Sequence, residues 1–119
     1  MSERFLKPLA EPLQPDSIEF HGADGVLVKS MVCKVAGTIV PQHAHTYDHM
    51  SMLAIGTVKV WRDEDYLGTF HAPAAIEVKA GCKHKFETVT DYAIIYCIHN
   101  VARSGEIEIA DQHALNFKG

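Results

Sequence analysis

The sequence predicts one all-β domain, on three observations. Runs of strand length, apolar or alternating, recur from Ser17 onward; glycine and acidic turn signals separate them. No apolar repeat of helical period persists for the roughly ten residues that a helix needs. Many short strands with Gly-rich turns point to a sandwich or a barrel. The 119 residues, 47% hydrophobic and 22% charged, suit one domain built on one core.

The elements follow in order. Residues 1–16 hold three of the five prolines, Pro8, Pro12 and Pro15. Proline fixes φ and removes a backbone donor, so this stretch is expected to be an extended N-terminal arm ahead of the domain at 17–119. Its Phe5, Leu6, Leu9 and Leu13 are apolar enough to pack on something, a second subunit included. Ile18-Glu19-Phe20 alternates, and His21 to Gly25 reads as a turn. Val26 to Val35 reads as a long strand with neither face cleanly polar, expected to bend or to be buried on both sides. Further strands are expected at Thr38 to His45, His49 to Ile55, Thr57 to Arg62, Ala75 to Lys79, His84 to Val89 and Tyr92 to Asn100. Turns are expected at Gly37, Gly56, Asp63 to Asp65, Gly68, Gly81 and Thr90-Asp91. The tail after Arg103 is the one weak helix candidate.

Composition narrows the function classes. No stretch approaches the roughly 20 apolar residues of a membrane-spanning helix, so no membrane partner is expected. A net charge of −4, with Lys and Arg scattered, lacks the basic footprint of a nucleic-acid binder. Residues 1–10 carry Glu3, Arg4 and Lys7 and no apolar core of signal-peptide length. Cys33, Cys82 and Cys97 are an odd count without a Cys-x-x-Cys pair, the usage of reduced thiols in a cytoplasmic protein.

Eight histidines against 11 Lys and Arg are the anomaly. On a strand His43 and His45 project from one face, because side chains alternate with period two. A tight connection through Thr46-Tyr47-Asp48 lets the next strand open at His49, across from that pair. Three imidazoles converging from adjacent strands form a facial ligand set with metal positions left open. Further on, Gly81 marks a turn and His84 opens a strand.

The segment Gly37 to Gly56 resembles the first motif of the cupin family: Gly, five residues, His-x-His, three or four residues, Glu, six residues, Gly. Every spacing matches, with His49 in place of the glutamate. The second motif is matched at its Gly81-x-x-His84 core, while Pro73, Lys79 and Thr88 replace its Gly, Pro and Asn. The 16 residues between the motifs, Thr57 to Ala72, have the short spacing of single-domain cupins, and the resemblance spans about Val26 to Asn100. It implies a double-stranded β-helix, or jelly-roll barrel, with a metal inside. Carried over, the ligands are His43, His45, His49 and His84, as in the four-histidine minority of cupins. The cofactor implied is one divalent transition metal ion per chain, with Fe, Mn, Ni, Cu and Zn all suited to imidazole. Four neutral ligands leave the metal its full charge, which favours anionic substrates or hydroxide.

The other side chains receive plainer readings. His21, His71, His99 and His113 are read as surface or supporting residues, Cys97 as core packing and Cys82 as an ordinary turn cysteine. With His49 inward, alternation puts Ser51, Leu53 and Ile55 inward too; with His84 inward, Phe86 and Thr88 follow. Tyr47, Tyr92 and Tyr96 are read as packing residues with hydroxyls available to a substrate. The resulting expectation is a metal-dependent dioxygenase acting on a small organic substrate, without an obvious side-chain acid or base. Its rivals are a metal-dependent lyase or isomerase, a non-catalytic module that holds a small ligand, and an assembly scaffold. A homodimer is expected from the arm and the exposed sheet edges.

Overall fold

In the computed structural model, which describes residues 12–41, 44 and 47–100, alternation of buried and exposed side chains sorts nearly every strand into an inner and an outer face. The strands are β1 (Ser17–Ala23), β2 (Val26–Cys33), β3 (Ile39–Pro41), β4 (His49–Ile55), β5 (Thr57–Arg62), β6 (Asp65–His71), β7 (Ala74–Val78), β8 (His84–Thr88) and β9 (Ala93–Asn100). They form two antiparallel sheets, one ordered β1-β2-β9-β4-β7 and the other β3-β8-β5-β6. From β2 onward the chain alternates between the sheets except at the β5–β6 hairpin, which is the jelly-roll path. None of the described residues forms a helix, and so none provides a helix long and apolar enough to cross a membrane.

The core lies between the sheets. Met31, Leu53, Ile76 and Ile95 come from the first sheet and Val40, Val58, Val60 and Phe86 from the second. Thr88, which stands where the cupin motif has asparagine, locks β8 to the turn before β3. Its Oγ1 accepts from the Thr38 N–H at 2.9 Å and donates to the Val35 carbonyl at 3.1 Å.

Several sequence expectations need correction. Asp65 to His71 is a strand: the turn is only Asp63-Glu64, and Gly68 sits opposite Val60 beside a bulge. As a sheet edge with its residues mostly exposed, β6 shows no apolar alternation to find. Strand β1 runs on to Ala23, so the turn is Asp24-Gly25, with φ of 51° and 77°. Strand β2 stops at Cys33, because the Asp16 carboxylate takes the Lys34 N–H at 2.6 Å. Ile55 is 48% exposed, since a register shift between Leu53 and Ile55 turns it out of the barrel. Ser51, Leu53, Phe86 and Thr88 are buried as expected. The proposed arm up to residue 11, the end of the expected Thr38 to His45 strand and the tail after Arg103 lie outside the described residues. Just before β1, the Leu13 carbonyl accepts the Ile39 N–H at 2.9 Å.

Candidate functional site

Two of the four predicted ligands, His43 and His45, lie outside the described residues. The other two open strands in opposite sheets: His49 begins β4 and His84 begins β8, 6% and 2% exposed. A carboxylate beside each motif fixes these strand starts. Asp48, next to His49, accepts the Ala80 N–H at 2.7 Å, which ties the first motif to the turn of the second. Asp63 accepts the Lys83 N–H at 3.1 Å and returns its own N–H to the Lys83 carbonyl at 2.6 Å, just before His84.

Burial pushes the His84 imidazole below the usual histidine range. The nearby Cys82 backbone opposes the shift, Arg62 reinforces it and Asp63 opposes it. A neutral ring is what metal ligation requires. Its Nδ1 is buried and has no hydrogen-bond partner among the described residues. A buried imidazole nitrogen left for a further partner fits a metal ion, and so does the imidazole chemistry of the expected set. Among the described residues alone, no three His, Cys, Asp or Glu side chains are placed to hold one.

The histidine that sequence reasoning set aside is His99. It is 1% exposed, not a surface residue, and its ring lies 4.5 Å from that of His49, tilted by 30°. Tyr47 completes the group, its hydroxyl 3.4 Å from His99 Nδ1 and its ring edge-on to His99 at 5.9 Å. The signal was available: Cys97 and His99 share one face of β9, and Cys97 faces the core. Tyr92 is 54% exposed and Tyr96 lies on the outer face, so neither reaches this end. His71 and His21 are exposed, bonded to Thr57 at 3.0 Å and paired with Glu19 at 3.5 Å, respectively. His113 lies outside the described residues. A cleft of about 570 Å³ at this end is lined mainly by the outer face of the five-stranded sheet, through Met50, Ala75, Glu77, Ile98 and Asn100, with His49 and His99 at its edge.

The inner face of the five-stranded sheet reads as rows across the strands. One row is Gly22, Leu27, His99, His49 and Val78. The next is Phe20, Lys29, Cys97, Ser51 and Ile76. Ser51 Oγ and Cys97 Sγ are 3.3 Å apart. None of the three cysteines is in a disulfide bond.

By sequence, no family model and no curated protein matches the chain. Solved structures match well. An RmlC-like cupin family protein from Methanocaldococcus jannaschii is 12% identical, with a TM-score of 0.61 over 71% of this chain and 78% of that one. A double-stranded β-helix domain protein from Klebsiella pneumoniae is 13% identical, with a TM-score of 0.62 over 81% and 82%. An oxalate oxidase is 18% identical, with a TM-score of 0.56 over 68% of this chain and 44% of that one. The jelly-roll path, the strand-opening histidines and these likenesses agree: the chain has the cupin fold, the double-stranded β-helix.

Proposed function

We propose that the chain is a metal-dependent dioxygenase of small organic substrates, holding one divalent transition metal ion through His43, His45, His49 and His84. The observation that carries this reading is the buried His84 imidazole. Burial favours its neutral form, its Nδ1 is without a hydrogen-bond partner among the described residues, and it opens a strand of the sheet facing His49. Burying such a nitrogen without a partner costs roughly 1–3 kcal/mol, a cost that a metal would offset. Four neutral imidazoles suit a cation whose remaining positions accept an anionic ligand. A bound metal supplies Lewis-acid and redox chemistry at an oxygen of the substrate. The chain's own part is to orient and to enclose. Tyr47 and His99 pack about His49, while Phe86 and Leu53 keep water from the floor of the barrel. The oxalate oxidase among the structural relatives supports oxidation of a small acid as the first chemistry to test.

Metal analysis of the tag-free protein should find about one metal ion per chain, lost in the His43→Ala/His45→Ala double variant. Wild-type protein without metal sinks the ligand assignment. Oxygen uptake by the iron-loaded protein is then measured with diketones, flavonols, thiols and small acids. Failure with all of them, alongside a ligand that binds and is released unchanged, replaces the dioxygenase by a binding module.

A further inference from the structure

The two sheets turn unlike outer faces to their surroundings. On the four-stranded sheet, Glu87 and Lys59 stand side by side, and the next row sets Lys85 over the Trp61 ring, Nζ 4.4 Å from its centroid. That face is suited to water. On the five-stranded sheet, β2, β9 and β4 place no Lys, Arg, Asp or Glu at any outward position. Val28, Ile98 and Met50 form one outward row, with Tyr96 and Met52 in the next. Charge returns at the two edge strands, where Glu19 pairs with His21 on β1 and Glu77 of β7 pairs with Lys79.

An antiparallel sheet with a solvated outer face alternates apolar and polar residues. These three central strands do not alternate, which is why the run from Val26 has neither face cleanly polar in the sequence. The inner face already meets the four-stranded sheet, and among the described residues no strand or helix is left to cover the outer one. An apolar centre inside a charged rim is the anatomy of a protein interface. Its size suits a second copy. Five strands about 4.8 Å apart and about 25 Å long offer roughly 600 Å², so two such faces bury about 1,200 Å², above the ~1,000 Å² that a specific interface needs.

Charge selects the orientation. Two copies meeting face to face are related by a two-fold axis lying between them. An axis across the strands stacks β7 on β7 and β1 on β1, which brings like carboxylates together. An axis along β9 stacks β1 on β7 instead. His21 then meets Glu77, Val28 meets Met50, and Ile98 meets its own image.

We propose that the chain forms a homodimer, back to back through the outer face of the five-stranded sheet, with its two-fold axis along β9. The contact is neither the N-terminal arm nor a sheet edge, and it does not depend on the metal. The cleft beside Met50 and Ile98 lies on this face and is filled by the second copy.

The test is the mass of the full chain in solution, by sedimentation and light scattering at micromolar concentrations. Wild-type protein is expected at twice the chain mass. Ile98→Arg sets a charge against its own image and should weaken the dimer about a hundredfold or more, leaving a folded monomer by circular dichroism. Met50→Lys, at an exposed position, repeats the test should Ile98→Arg fold poorly. Lys59→Glu, on the other sheet, should leave the dimer intact. His21→Glu should weaken it, and adding Glu77→Lys should restore it. A monomeric wild type, or a dimer indifferent to both Ile98→Arg and Met50→Lys, overturns the proposal. In a monomer, fast oxidation of Met50 by peroxide reveals a bare face and slow oxidation a face covered by the chain's own terminal segment; either excludes the second copy. A dimer broken by Ile98→Arg but not rescued by the charge exchange overturns the axis.

Discussion

His49 and His99 lie side by side on neighbouring strands, their ring centroids 4.5 Å apart and their planes within 30° of parallel. The contact joins a residue that the motif marks to one that it does not. A neighbour in van der Waals contact limits the rotamers open to His49, and limited rotamers hold a ligand nitrogen in place. His99→Ala should therefore lower metal affinity by about tenfold or more without unfolding the barrel, measured by chelator competition and melting temperature. His99→Phe, which keeps the stacked ring, should recover much of that loss. Affinity unchanged in both variants removes His99 from the site.

Gly56 and Gly37 close and open the first motif, yet they should differ sharply when replaced. Both have positive φ, 97° and 88°. A Cβ at Gly56 would come within 2.8 Å of the Tyr92 carbonyl oxygen and 2.9 Å of Ala93 Cβ, whereas one at Gly37 meets nothing within 4 Å. Gly37→Ala should cost about 1 kcal/mol, from backbone strain alone, and Gly56→Ala more than twice that. Urea denaturation of the two variants decides, and equal midpoints would contradict the crowding argument.

Thr88 is expected to matter through its hydroxyl. Thr88→Val keeps the shape but leaves the buried Thr38 N–H without its side-chain acceptor, at a cost of roughly 1–3 kcal/mol. Thr88→Ser should restore most of it.

Cysteine chemistry should follow burial. Cys33 is fully enclosed, and burial, then the nearby Asp16, push its thiol up to about 11. The unfolded chain gives up that proton near pH 9 while the folded one holds it, so the unfolded state binds fewer protons between them. This contribution to stability is complete below about pH 9 and is lost as pH rises toward about 11. Urea midpoints measured across that interval should fall, and Cys33→Ala should flatten the slope. Iodoacetamide at neutral pH should label the partly exposed Cys82 first, with Cys33 and Cys97 labelled only on unfolding.

Much of this molecule is legible in one dimension because strands carry their own period. His49–Ile55 and Thr57–Arg62 have the bounds that their alternation and flanking Gly56 predict, and the same period buries Ser51, Leu53, Phe86 and Thr88. The edge strand Asp65–His71 escaped, since it has one neighbour and mostly exposed side chains, with Phe70 its one hydrophobic contact to the core. Ile55 escaped for another reason: a bulge breaks the period at its last step.

The sequence by itself determined the class of fold, the strand starts at His49 and His84, and the expectation of an imidazole site, because these rest on local spacing. The tertiary structure decided which distant residues share a row. Only the pairing of β9 with β4 sets His99 on His49, and only the pairing of β9 with both β2 and β4 brings Val28, Ile98 and Met50 into one outward row. Register between strands tens of residues apart is fixed by how the whole core packs, and no local pattern along one strand carries that information.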